Sequence, residues 1–138
     1  MAFDQTLTTS FKQEVLLGVH DLATDTLKLA LYTAEADLNA NTTVYTPTNE
    51  VVGTGYTAGG IVLTGATVLT EGTTAYVDFN SALWDPAAFT TRGALIYNAS
   101  KGNKAIAVLD FGSDKTATTS FTVQMPANTA TSALIRFA

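Results

Sequence analysis

The sequence has no cysteine, a single histidine, a single tryptophan and only three prolines among 138 residues, and charged residues make up 14% of it. Without cysteine there can be no disulfide framework and no cysteine-built zinc site. One histidine supplies too few ligands for a typical transition-metal centre. Lys and Arg total 7 against 12 Asp and Glu, a net charge of -5, and no basic run occurs. Nucleic acid and anionic membranes are bound largely through basic residues, so neither is expected as a partner. No stretch approaches 18 apolar residues, and the N-terminal MAFDQTLTTSFKQ has neither the basic start nor the apolar run of a secretory signal. No cofactor is expected.

What is present is 46% hydrophobic residues and 25 threonines. At this length folding buries roughly two thirds of the surface that the unfolded chain exposes, which is enough for one globular core over residues 1–138. Threonine is β-branched and favours strands, and it gives an exposed strand face that is polar but uncharged. Such a surface suits a protein that lives inside an assembly. It equally suits a soluble β-domain.

Ser10 and Gln13 have the spacing of a capping box, and Phe11, Val15, Val19 and Leu22 recur on one stripe, which predicts a helix over about 11–22. Gly18 lies inside that span and costs up to about 1 kcal/mol against Ala, so either the helix is short or a neighbouring backbone comes close there. The period then changes to two. Leu27, Leu29 and Leu31 alternate with Lys28, Ala30 and Tyr32, the pattern of a strand with one apolar face.

Residues 35–60 are rich in Asn, Thr, Gly and Ala and read as a long surface excursion, with brief strand contacts at Val44-Tyr45 and Val51-Val52. Further strands are expected at 61–69, 75–79, 94–97, 105–111, 121–125 and 134–137, the last continuing to Ala138. Breaks fall at Glu71-Gly72, Asp85-Pro86, Lys101-Gly102-Asn103, Gly112-Ser113-Asp114 and Pro126-Ala127-Asn128. The fold class is therefore mainly β, an antiparallel β-sandwich or jelly-roll-like barrel with one short N-terminal helix.

The chemical constellations are sparse. His20 beside Asp21 gives at best one arm of a Ser-His-Asp arrangement, and a cation near a helix C-terminus explains it as well. Asp110-Phe111-Gly112 spells the kinase magnesium motif without any of its companions, and Asp110, Gly112 and Asp114 lack the spacing and terminal Glu of a calcium loop. A turn accounts for them. Gly53, Gly55, Gly59 and Gly60 precede a strand rather than opening a helix, so they do not form a phosphate cradle. Asn41-Thr42-Thr43 and Asn98-Ala99-Ser100 match the glycan acceptor pattern by chance. Asp78, Asp85 and Asp110 are scattered, which leaves a small hydrolase without support. Trp84 either plugs the end of the sandwich or is presented to a partner.

Thr91-Arg92-Gly93-Ala94-Leu95-Ile96-Tyr97-Asn98, then Lys101, Asn103-Lys104-Ala105 and Ala107 to Lys115, resembles a block found in small structural proteins of tailed bacteriophages. Phe11-Lys12-Gln13-Glu14, Gly18-Val19-His20, Leu29-Ala30-Leu31-Tyr32-Thr33 and Gly53 to Gly60 fall in the same order as in that group. The resemblance implies a non-enzymatic virion protein on the capsid surface, a decoration or cement protein that bridges capsid subunits. Its implied partners are the major capsid protein and copies of itself, as a homodimer or homotrimer. The alternative is a tail or head-fibre module that binds a host-surface glycan, with Trp84 and tyrosines stacking on sugar. No catalytic residue carries over. Within residues 35–60, the expected partner-binding anchors are Tyr45, Val51, Val52 and Tyr56, joined by Trp84; the other reading is that this arm folds back on its own sandwich.

Overall fold

A computed structural model of the chain describes residues 3–125, 129 and 131–137. The order is β1 (Thr6–Leu7), α1 (Thr9–Leu16), β2 (Leu27–Tyr32), β3 (Ile61–Val62), β4 (Thr67–Glu71), β5 (Thr74–Asp78), β6 (Ala82–Trp84), β7 (Phe89–Asn98), β8 (Lys104–Ala117), β9 (Phe121–Val123) and β10 (Ile135–Phe137). The strands form antiparallel sheets: a five-stranded sheet β1-β8-β7-β2-β3, a three-stranded sheet β10-β5-β4 and the pair β6-β9. The chain is mainly β with one short helix, consistent with a sandwich. The sheets do not close into the jelly-roll-like barrel that was the other expectation.

The helix is shorter than its apolar stripe predicts. Its N-cap is Thr8 rather than Ser10, with the Thr8 hydroxyl accepting from Phe11 N at 3.2 Å. At the other end Leu17 is the C-cap and Gly18 takes φ +73°, so that Val19 N reaches Glu14 O at 2.9 Å and Gly18 N reaches Val15 O at 3.1 Å. That double bond pattern is a Schellman cap, which glycine enters without the Cβ penalty. A Cβ on Gly18 would meet nothing within 4 Å, so the cap and not a close neighbour explains the glycine. Val19 and Leu22 therefore lie beyond the helix.

The five-stranded sheet is buried on both faces. On one face Leu27, Leu29 and Leu31 of β2 join Ala94 and Ile96 of β7, Leu109 of β8, Phe11 of the helix, and Val77 and Ile135 of the small sheet in the main core. On the other, Ala30, Tyr32, Leu95, Tyr97, Ala105 and Val108 form a second core capped by Ala36 and Leu38. β2 is thus not the half-buried strand expected from Lys28, Ala30 and Tyr32, because residues 35–60 lie over its outer face. Between Ile96/Ala107 and Tyr97/Ala105 a bulge inserts Ile106, so Ile106 and Ala107 both serve the main core.

The excursion is stitched to the sheet by its backbone. Tyr45 N bonds Asn103 O, Ala105 N bonds Thr43 O, Thr33 N bonds Asn49 O, Val51 N bonds Leu31 O and Ala88 N bonds Thr54 O, all between 2.9 and 3.0 Å. At its end Gly60 has φ +83°, and a Cβ there would fall 1.9 Å from Leu29 O, so only glycine lets the chain pass this close to β2.

Several boundaries also move. The expected strand 61–69 is split around Gly65 into β3 and β4. Gly112-Ser113-Asp114 does not end β8; the register steps from Thr91↔Lys115 to Gly93↔Asp110, so Arg92 faces a four-residue bulge and the strand continues to Ala117. The expected break at Pro126-Ala127-Asn128 and the strand end at Ala138 lie outside the described residues. The chain near its end is nevertheless tied into a sheet, with Ile135, Arg136 and Phe137 paired to Val77, Tyr76 and Ala75.

Candidate functional site: an apolar groove beside an open sheet edge

Two clusters of buried polar side chains hold the fold together, one around Glu50 and one around Asp25. Glu50 is the only charged residue between Asp37 and Glu71, and it is buried. Its Oε1 accepts from Tyr45 Oη at 2.6 Å, and its Oε2 accepts from Tyr56 Oη and from Gly59 N, the latter at 2.8 Å. Tyr56 Oη in turn accepts from Leu31 N at 2.9 Å, and Tyr97 Oη donates to Gly59 O at 2.6 Å. A buried carboxylate has to be hydrogen-bonded, and these donors meet that need. The four tyrosines around it are held in their neutral form. Burial first, then the hydrogen bond to Glu50, pushes Tyr45 and Tyr56 well above the usual phenol range. Burial and the Glu50 charge do the same for Tyr32, and raise Tyr97 to about 12.

A second cluster ties the helix end to β7. The His20 side chain is fully buried, with its ring 5.1 Å from Phe11 and its Nε2 2.9 Å from Glu14 Oε1. Asn98 Nδ2 lies 3.0 Å from His20 Nδ1 and donates to Asp25 Oδ2 at 2.8 Å. Asp25 also accepts from Lys101 Nζ at 2.9 Å and from its own chain at Asp21 N. Burial alone would raise the Asp25 carboxyl; the bonds from Asn98, Lys101 and Asp21 outweigh it and hold the group down near 2. The adjacent Asp21 bonds Ala23 N instead of the histidine, so His20 and Asp21 do not form an arm of a Ser-His-Asp arrangement. With Asn98 fully buried, its glycan acceptor pattern is out of reach.

The other constellations resolve locally. Asp110 Oδ1 accepts from Gly112 N at 2.8 Å within the β8 bulge, where Gly112 has φ +82°. Among the described residues no group of three His, Asp or Glu side chains gathers into a metal site. Gly59 N, in the glycine-rich segment, is taken by the chain's own Glu50.

Of the expected partner-binding residues, Val51 and Trp84 are core residues, at 3% and 5% exposure. Trp84 packs among Tyr56, Phe89 and Phe121, with ring centroids 6.2 to 6.5 Å away. Tyr45 stacks on Tyr97 at 4.7 Å, and both Tyr45 and Tyr56 are bonded to Glu50. These four are committed inside their own domain, because the arm lies on its own sheet. Only Val52 projects, at 94% exposure.

The apolar surface lies elsewhere. A groove of about 420 Å³ runs between the helix end and the three-stranded sheet, with Val15, Leu22, Val68, Val77 and Phe137 in its walls. Leu16 and Leu17, at the helix end that forms one wall, are 88% and 70% exposed. Val68, Leu69 and Phe137 also stand substantially exposed, and every residue of β4 is exposed. Leu16 and Leu17 stand off the Phe11–Val15 stripe, about 140° and 240° round the helix from Phe11, so they face away from the core. Sequence reasoning missed Glu50, the Asp25-Asn98 cluster and this groove. Isolation in an uncharged stretch flanked by tyrosines was the available signal for Glu50. No protein-family model matches the chain, and neither the curated proteins nor the solved structures contain a match to it.

Proposed function

We propose that this chain is a non-enzymatic structural protein of a virion, a capsid decoration or cement protein that stabilises a phage head by bridging capsid subunits. The observation that carries this reading is the set of large apolar side chains held in water on a domain with few charges, with Val68 and Phe137 lining one groove and Leu16 and Leu17 exposed on the adjoining helix end. A grouped patch of this kind marks an interaction surface more often than scattered apolar residues do. The sequence resemblance supports the same reading, and its main block, residues 91–115, is the β7–β8 hairpin at the centre of the large sheet. Many copies on a repeating shell would add modest contacts into firm attachment. A glycan-binding module would draw on exposed rings, and Trp84 and Tyr56 are engaged within the domain.

Mixing the purified protein with empty capsid shells and pelleting tests the proposal. The protein is expected in the pellet, and Leu17→Asp with Phe137→Asp is expected to leave it largely in the supernatant while near-ultraviolet circular dichroism stays unchanged. Wild-type protein that stays in the supernatant overturns it.

A further inference from the structure

Among the described residues β4 is an unprotected sheet edge: Thr67–Glu71 pairs with β5 on one side only, and the order β10-β5-β4 leaves its other side open. Native edges are usually blunted by lysine, proline, a bulge or extreme shortness. The overhanging end of β8 has such devices: the bulge at 111–114 and the charges of Asp114 and Lys115. β1 and β3 are two residues long. β4 is five residues long, contains no lysine, proline or bulge, and has its one charge, Glu71, at its end.

The hairpin fixes which backbone groups face outward. Glu71 and Thr74 close the two-residue turn Gly72-Thr73, which makes them a hydrogen-bonded pair. Antiparallel bonding alternates, so Leu69 and Thr67 also bond inward to β5, and Val68 and Thr70 direct their N–H and C=O groups to the open side. A second β4, antiparallel about a two-fold axis at Leu69, places Val68 opposite Thr70 of the other copy and Thr70 opposite its Val68. Both outward residues of each strand are then satisfied, by four hydrogen bonds. Leu69 meets Leu69 in a close, non-hydrogen-bonded pair, and Glu71 faces Thr67, so no like charges are opposed. Two-fold pairs need a patch complementary to itself, and this strand has that property in register, charge and hydrogen bonding.

We infer that β4 is the contact between two copies of this chain, paired antiparallel through Val68 and Thr70 into a continuous six-stranded sheet. The inference deepens the proposed function and rests on it for its setting, since it names the surface by which copies associate on the shell. The groove walled by Val68 and Phe137 lies on the same small sheet, so pairing through β4 would also line up two grooves on one assembly.

Because the chain has no cysteine, single thiols report the register directly. In a non-hydrogen-bonded pair the Cα atoms are about 4.5 Å apart, within the range that a disulfide spans. Under mild air oxidation L69C is expected to cross-link to a dimer nearly completely. T67C and E71C are each expected to stay single and to link when mixed. L83C, at a position more exposed than Leu69 (51% against 37%) and on β6, is the collision control and is expected to stay single. Light scattering on the unmodified protein is expected to give twice the 14.5 kDa chain mass. T70P, which removes an outward N–H without touching the bonds to β5, is expected to give monomers with an unchanged near-ultraviolet spectrum. A monomeric or trimeric unmodified protein, or L83C linking as readily as L69C, overturns the inference. Shell pelleting separates the two readings: monomers that pellet overturn the β4 contact and leave the capsid proposal standing, and β4-linked dimers that stay in the supernatant do the reverse.

Discussion

Tyr45 Oη donates a 2.6 Å hydrogen bond to Oε1 of Glu50, so a tyrosine from the middle of the excursion is latched to the carboxylate at the point where the same excursion rejoins β2. With Tyr56 and Gly59 on Oε2, Glu50 gathers residues 45 to 59 into one knot over the sheet. Glu50→Ala leaves two phenols and an amide without their acceptor and is expected to cost about 3 kcal/mol, read as a lower urea midpoint. Glu50→Gln is expected to fall between that variant and wild type, since its carbonyl can serve only one side.

Alkaline pH is expected to attack the same knot. Tyr32, Tyr45, Tyr56 and Tyr97 have folded-state values above the unfolded phenol value near 10, so their contribution is fully present below that pH. It is lost as pH rises past 10 towards the raised values. A tyrosinate absorbance titration checks this: these four of the five tyrosines are expected to ionise late and together with unfolding. Smooth ionisation near 10 with the fold intact refutes it.

Asp25 sets the acid side. Its folded value near 2 lies below the ordinary 3.8, so the stability it confers is complete above 3.8 and is lost as pH falls from there towards 2. Urea unfolding followed from neutral pH to pH 2 is expected to show a steeper acid decline for wild type than for Asp25→Asn.

Two glycines with similar torsions are expected to behave differently. Gly18→Ala meets only the left-handed backbone penalty, about 1 kcal/mol, because nothing lies within 4 Å of a Cβ there. Gly60→Ala meets the same penalty and drives a methyl to 1.9 Å from Leu29 O. Thermal melts are expected to rank Gly60→Ala clearly below Gly18→Ala; equal losses would mean that the excursion yields without cost.

The β class, the alternation of Leu27, Leu29 and Leu31, most of the strands and the Gly72 hairpin were legible in the sequence, because period two and turn chemistry are local properties. The burial of β2 on both faces was not legible, because Ala30 and Tyr32 become interior only when residues 35–60 fold over them. The helix stripe misled for a related reason: spacing continues through Gly18 in the sequence, while the left-handed cap ends the helix in space.

The candidate site divides in the same way. By its composition the chain determined that no cysteine or multi-histidine centre would form and that the surface would be short of charge. Tertiary structure decided which apolar residues were left outside, drawing Val51, Tyr56 and Trp84 into the domain and leaving Leu16 and Leu17 exposed on the helix end and Val68 and Phe137 in the wall of a groove. Residue type fixes how much each side chain gains by leaving water, but which ones can leave depends on partners brought together from distant parts of the chain.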